Sequence, residues 1–526
     1  MLDSEFVYEA LLRWNYFPNQ KENSEELPPI FTTRNLVPSV AEKLTKLPCR
    51  KGGYDHVEYF LTRYNNVPRL LSIPHPLAYV HLAKCIKDNW TAIEQSSASS
   101  VSQISPYKHQ DGRLISMNYG DFDSIDEILT QGPRYRVHAD ISNCFNSIYT
   151  HAIPWALVGH KEAKAKSGWG HNNEWFNLLD KCQRMVKRNE TNGVPIGPAT
   201  SNIVVECILS KIDEVLLGSH NYKYQRFIDD YICYCFDHEQ AEQFIRDLRN
   251  ELHKYKLDLN LTKTKVVELP DSESDLWILD LRTRLPQLRE KDGGHWYLYS
   301  DVSSFIEYAV RLNKSAPDGS VVKYAVKSVI NRVHCDDLRV FLKYLIHLSY
   351  YFPGMLPYIS NILARESEAL NCYENELNFI VVNYAKDGKS DGMVWGIYYL
   401  NKSNLKIHES TAKAVIASKD CMAIVSLSLS RGHNSEIASF ISEINKRDNF
   451  ERDRYWLLFY QEFFSGRIEN MYNDPAFRVL KDHDVSFIDR ADYQSALEAE
   501  FEAEKVRIMF DFVDETLVDG VTSNDL

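Results

Sequence analysis

The sequence predicts an α+β first half and an all-α second half. Three observations carry this. Asp229 and Asp230 sit inside an apolar and aromatic run, residues 224–235, whose flanks read as strands and leave the aspartates in the turn of a hairpin. Upstream, Tyr135–Asp140 alternates as a strand does, and the glycine- and proline-rich residues 193–202 lead into a helical apolar pattern through Ile203, Val204, Ile208, Ile212 and Leu216. From about residue 300 onward the spacing is helical, at 321–333, 338–352, 394–400, 411–417 and 437–444.

Taken in order, residues 1–54 hold Pro18, Pro28, Pro29 and a cluster of Glu22, Glu25 and Glu26, which predicts an irregular lead-in. Residues 55–270 form the α+β unit, with a polar, serine-rich connector at 96–102. Residues 271–300 predict a connecting hairpin that turns at Asp292-Gly293-Gly294. Residues 301–526 predict a helical domain of paired helices stacked as an irregular solenoid, without a clean sequence repeat. The tail after Phe512 is acidic and predicted to fray.

The chemistry follows from the paired carboxylates. Two aspartates on a stiff hairpin are costly unless positive charge sits beside them, and the usual answer is a divalent metal. Asp140, where a strand ends, supplies a third carboxylate; it lies 89 residues before Asp229, so only the fold brings them together. Adjacent aspartates alone mean little. Asp336-Asp337, before Leu338-Arg339-Val340, reads as a helix N-terminus. The strand-like flanks of Asp229-Asp230 make the difference.

Residues 135–145, 193–202, 224–235 and 257–265 resemble, in this order, motifs A, B, C and D of reverse transcriptases, and Arg69-Leu70-Leu71-Ser72-Ile73-Pro74-His75-Pro76 resembles their fingers motif. Ser147-Ile148-Tyr149-Thr150-His151 followed by Pro154-Trp155-Ala156 is similar to the motif A extension of the bacterial abortive-infection and defence-associated class, with the type 3 defence-associated enzymes nearest. Two positions depart from the pattern: Phe227 stands where motif C commonly has tyrosine, and Ile196 where motif B often has glutamine.

The resemblance implies right-hand polymerase fingers and palm at 55–270 and a helical-repeat-like C-terminal domain. It implies an antiphage defence DNA polymerase that adds dNTPs to a primer 3′-hydroxyl or a protein hydroxyl. Some members of the class work without a nucleic-acid template. Asp140, Asp229 and Asp230 would hold two Mg²⁺ ions, with Mn²⁺ as a substitute. Arg69 would bind the triphosphate, and Lys263 would donate a proton to pyrophosphate or offset its charge. Phe145 would gate the sugar, and Gly193, Pro195 and Gly197 would line the nucleotide. Tyr149, His151 and Trp155 would orient the helix behind motif A. The implied partners are dNTPs, a DNA product, a noncoding RNA, and a second reverse transcriptase or a second copy of the chain. Two alternatives stay open: a catalytically inactive nucleic-acid-binding scaffold of the same fold, and a palm polymerase that uses rNTPs.

Composition bounds the rest. A chain of 526 residues with 44% apolar content can fill two or more cores. The net charge of −13 is uneven: residues 1–270 carry 31 Lys and Arg against 33 Asp and Glu, and the remainder 29 against 40. The acidic second half argues against a broad nucleic-acid surface there. The basic run 161–188 either holds phosphates or forms a solvated helix face. Ten scattered cysteines without a CxxC pair fit a reducing cytosol. No signal core or membrane span is evident, so the expected location is the bacterial cytoplasm, with no membrane partner.

Overall fold

The computed structural model describes residues 2–489 apart from 19–24, 64–66, 107, 109–111, 118–131, 168–169, 172, 220, 272–275, 317–319, 431 and 473; the acidic tail lies outside the described residues. At its centre is an antiparallel sheet of β5 (Tyr135–Asp140), β6 (Lys223–Phe227), β7 (Asp230–Cys235) and β8 (Lys265–Glu268), in the order β6-β7-β5-β8. Alternation along β7 sends Tyr231, Cys233 and Cys235 into the core, where the two sulfurs lie 3.8 Å apart. Helix Ala199–Ser219 carries the apolar pattern that follows the glycine-rich loop, and helix His238–Lys254 packs on β5 and β7. This sheet and its helices take the arrangement expected of the palm.

The segment expected to form the fingers contains a hairpin of β1 (His56–Thr62) and β2 (Pro68–Pro74). The short pair β3 (Ile104–Pro106) and β4 (Ile115–Met117) lies between hairpin and palm in sequence. The second half is helical, with two short strands at its entrance. Helices pack pairwise in chain order: Tyr299–Asn313 on Ser320–Val329, Glu374–Asp387 on Ser390–Lys402, and Ser390–Lys402 on Cys421–Ser428. Asp337 directly precedes helix Leu338–Ser349, where the Asp336-Asp337 pair was expected, but its carboxylate makes no capping bond and accepts instead from Tyr299 N at 3.0 Å. Among the described residues no helix is long and apolar enough to cross a membrane.

Two stretches differ from expectation. The first 54 residues are not an irregular lead-in. Asp3 caps helix Ser4–Arg13, which buries Val7, Tyr8, Leu11 and Leu12, and Pro38 starts a second helix, Pro38–Leu44. Tyr16 then stacks on Tyr79 at 3.9 Å between ring centroids, and Phe31 bridges to Ile488. The scattered prolines hid an amphipathic face one helix long. In the connecting segment, Leu276–Thr283 is a helix packed on the next two, and the hairpin is confined to Arg289–Lys291 and Gly294–Trp296. It does turn at Asp292 and Gly293, both at positive φ.

The two halves share one core. Trp456 donates from Nε1 to the Ile73 carbonyl of β2 at 3.1 Å. Fully buried His75 stacks between Tyr54 and Tyr472, with Phe477 and Trp456 against it. Residues 1–300 expressed alone should therefore expose this face and aggregate or lose fixed aromatic packing. Light scattering and near-ultraviolet circular dichroism check this; a monomeric fragment with native aromatic signals would contradict the shared core.

Candidate active site

Strand register brings the predicted carboxylates together. Asp140 pairs directly with Asp230 across β5 and β7, and Phe227 pairs with Asp230 across β6 and β7. Asp229 thus sits in a two-residue turn beside the end of β5. The Asp229 carbonyl accepts from Ile141 N at 3.1 Å, which ties the turn to the strand that carries Asp140. The segment before β8 docks on the same end: Asn260 N donates to the Asp140 carbonyl at 2.7 Å, and Ser142 N to the Asp258 carbonyl at 2.8 Å. That docking places Lys263, whose ammonium reaches Asp140 Oδ2 at 2.8 Å while its side chain stays 64% exposed.

Arg69 lies on β2, opposite Leu61 of β1. Its charge favours the ionised form of Asp229, 160 residues further along the sequence. Asn143 adopts a left-handed conformation at φ 47°, which asparagine tolerates, and turns the chain from β5 into the short helix Cys144–Ser147. Phe145 on that helix is 7% exposed and packs in the core. Its carbonyl accepts from Val194 N at 2.8 Å, so the glycine-rich loop lies directly against it. A side chain at Gly193 (φ 79°) would sit 3.0 Å from the Asn146 carbonyl oxygen, and one at Gly197 (φ 133°) 3.2 Å from that of Ser72 on β2. Pro195 is buried between them, and Ser72 N donates to the Ile196 carbonyl at 2.7 Å. The loop therefore joins palm to fingers. Tyr149 contacts both His151 and Trp155, and His151 Nδ1 lies 2.8 Å from Asp180 on helix Trp175–Met185.

One set of residues was not assigned a role from sequence. Arg226, 0% exposed, forks from β6 into helix Ala199–Ser219. Its guanidinium donates to Glu206 at 2.7 and 3.0 Å, to Asp213 at 2.7 and 2.9 Å, and to the Ile228 carbonyl inside the aspartate turn at 3.0 Å. Ser99 and Tyr224 donate to Asp213, and Ser210 to Glu206. Burial opposes the arginine's charge, but Glu206 and then Asp213 outweigh it and hold the guanidinium protonated. Burial raises Asp213, and the guanidinium pulls it back. The signal was available: two acids at a seven-residue spacing on an apolar helix face need a buried cation.

The electrostatics fit a cation site. Burial first, then the charges of Asp229 and Asp140, push the Asp230 carboxyl up to about 7, with Lys263 opposing. Burial also raises Asp229, joined by the charge of Asp140 and countered by its own backbone N–H, Arg69 and Lys263. Uncompensated carboxylates at a strand end are what two divalent ions would satisfy. A second acidic group, His334, Cys335 and Asp336, has ligand atoms within 4.8 Å of one another. That group is already engaged internally: Lys291 Nζ lies 3.1 Å from His334 Nδ1 and 2.7 Å from Asp336, and Asp292 lies 3.1 Å from His334 Nε2.

Residues 81–296 match the family model described as reverse transcriptase (RNA-dependent DNA polymerase). This span includes every predicted site residue except Arg69. Among solved structures, apo telomerase from Candida tropicalis truncated from its C-terminal domain is similar at 14% identity and a TM-score of 0.31, over 45% of this chain and 55% of that one. The untruncated apo enzyme of the same organism is similar at 12% and 0.29, over 77% and 74%. Telomerase from Candida albicans in complex with a fragment of telomeric RNA follows at 12% and 0.27, over 76% and 67%. The chain thus spans about half the length of the first of these. No curated protein matches the sequence significantly. Residues 81–296 are thus similar to a reverse transcriptase domain.

The raised carboxyls make stability depend on pH. Between the ordinary value of 3.8 and about 7, folded Asp230 keeps a proton that the unfolded chain has released. The folded state binds more protons in that window, so stability falls as pH rises through it. Asp230 reaches solvent, so screening tempers the effect. Without divalent ions the melting temperature should drop between about pH 5 and about pH 8, and added Mg²⁺ should restore more at the higher pH. Asp230→Asn should flatten both responses in a thermal-shift series; an unchanged Mg²⁺ response in that variant would remove Asp230 from the ion site.

Proposed function

We propose that the chain is a divalent-metal-dependent DNA polymerase of antiphage defence, acting in the bacterial cytoplasm. The observation that carries the polymerase reading is the strand register that sets Asp140 against Asp230 at the palm turn, with the Arg69 charge acting on Asp229 from the fingers. The defence reading is supported by residues 147–151 and 154–156 and their likeness to that class. In this reading residues 55–270 are fingers and palm, 271–300 a connector and 301–526 a helical domain.

Each site residue has a chemical part. Asp140, Asp229 and Asp230 would hold Mg²⁺ or Mn²⁺, which when bound neutralises phosphate charge and lowers the barrier to attack by a primer or protein hydroxyl. Arg69 binds triphosphate oxygens with its planar fork. Lys263, released from Asp140, offsets the charge of the departing pyrophosphate or protonates it. Phe145 packs beneath the sugar at C2′ and selects dNTPs. The Gly193–Pro195–Gly197 loop lets backbone approach the nucleotide closely. The expected partners are a noncoding RNA and a second reverse transcriptase or a second copy of the chain, and synthesis proceeds with or without a conventional template.

Incorporation of labelled dNTPs and rNTPs by the purified chain, with and without added template, tests the reading. Asp229→Asn keeps the side-chain shape and loses the charge. It should lower incorporation by roughly several orders of magnitude and abolish protection in a plaque assay while the fold stays intact. Polymerisation by folded Asp229→Asn protein would defeat the assignment, and a wild-type chain that incorporates neither nucleotide under any condition would favour an inactive scaffold.

Phe145→Ala tests the gate. Forcing a 2′-oxygen into a fitted site costs about 1–3 kcal/mol, or roughly 10- to 100-fold discrimination. The ratio of kcat/KM for dNTP over rNTP of the same base should therefore fall about 10-fold or more in the variant, with a modest loss of dNTP turnover. An unchanged ratio in a folded variant makes Phe145 a core residue only, and a wild-type preference for rNTPs would favour an RNA polymerase.

A further inference from the structure

The fingers hairpin has two strands, and a two-stranded ribbon is marginal by itself. β2 occupies one edge of β1, and the other edge would present unpaired N–H groups. The helical half covers that edge. Phe60 N donates to Ser390 Oγ at 2.8 Å, and Thr62 N donates to Asp391 Oδ2 at 2.9 Å. The Thr62 hydroxyl donates to Asp391 Oδ1 at 3.0 Å. Just before the strand, Asp55 N donates to Asp453 at 3.0 Å, and Glu58 pairs with Arg454. Phe60 and Thr62 are alternate residues, the spacing at which a strand presents outward N–H groups on one edge. The start of helix Ser390–Lys402 thus stands in for a neighbouring strand. Asp391 is 2% exposed, so this is a built contact and not a surface coincidence.

The position of the contact gives it a consequence. In the β1–β2 register Thr62 faces Pro68 and Leu61 faces Arg69. The end of β1 that Ser390 and Asp391 hold is therefore the end beside Arg69, on the strand whose Ser72 N donates to the Ile196 carbonyl of the glycine-rich loop at 2.7 Å. We infer that the helical half is a working part of the nucleotide site: Ser390 and Asp391 are positioning residues that hold the β1–β2 hairpin so that Arg69 stays over the palm turn. The inference rests on the reading of Arg69 as a triphosphate ligand.

The test measures KM and kcat for labelled dNTPs with Mg²⁺, and dNTP binding by titration, on the full chain. Asp391→Ala should raise the dNTP KM and Kd by roughly 10-fold with kcat within about twofold, because it loosens binding without touching the reacting groups. Arg69→Ala should do the same, and the double variant should be no worse than the poorer single one. Thr62→Ser keeps the hydroxyl and should match wild type, whereas Thr62→Val should raise KM by about threefold. Multiplying effects in the double variant would overturn the inference. So would wild-type KM in both Asp391→Ala and Thr62→Val when Arg69→Ala has raised it. Wild-type KM in Arg69→Ala would overturn the inference and the reading of Arg69 together. Should Asp391→Ala lose its fold by circular dichroism, Thr62→Val and Ser390→Ala decide the matter by the same criterion.

Discussion

The buried guanidinium of Arg226 is the interaction on which the palm depends. The turn it serves carries two like charges and places a β-branched residue, Ile228, at φ 56°. Such backbone is uphill by about 1–3 kcal/mol, and the adjacent carboxylates repel. Within the turn, the Asp229 backbone N–H offsets part of this. Arg226 adds to it from two residues before Ile228, by holding the Ile228 carbonyl while anchored to Glu206 and Asp213 on helix Ala199–Ser219. Stripping a partner from a buried ionic group costs about 3–5 kcal/mol, more than the strain in the turn. The network therefore over-determines the turn. Once Asp230 is fixed, the register fixes Asp140, and the backbone of Asp140 fixes the loop that presents Lys263.

This order of dependence explains what was legible in the sequence. Asp140, Asp229 and Asp230 lie at strand ends, where alternation and a hairpin turn mark them locally. The helix after the glycine-rich loop and the helices beyond residue 300 were legible for the same reason, since periodicity is a local property. Arg226 was visible but unassigned, because its role lies in two acids that precede it by 20 and 13 residues. The first 54 residues were misread because proline and glutamate clusters suggested a loop. Their structure comes from partners at Tyr79 and Ile488, which no local pattern announces.

The charge of the second half shows the same limit in another form. Its excess of acid suggested a solvated, nucleic-acid-repelling surface. Several of those acids are interior. Asp391, Asp453 and Asp474 are buried, and each accepts from backbone N–H groups: Asp391 from Thr62 and Gly392, Asp453 from Asp55, and Asp474 from Ala476. Burial raises all three carboxyls, with those N–H donors opposing, and Arg50 offsets Asp453. Net charge counts them as surface, whereas two of them, Asp391 and Asp453, hold the N-terminal half to the C-terminal one.

The site and the interface are thus governed by one physical rule: a carboxylate is placed where backbone or a cation can meet it. At the interface backbone N–H groups and Arg50 meet the carboxylates without any ion. At the palm turn the match is incomplete. Lys263 answers Asp140, yet it is mostly exposed and joined to the site through a short loop, so little holds it there beyond that one contact. Arg69 answers Asp229 at longer range. At Asp230 burial and the neighbouring carboxylates outweigh Lys263, and it keeps its proton up to about pH 7. A site built this way favours whatever brings more positive charge than one lysine, and gives that lysine up when it arrives. On the proposed reading, the freed ammonium would then be available to the phosphates that the same charge recruits, so the charge deficit of the turn is what would equip it to bind a nucleotide.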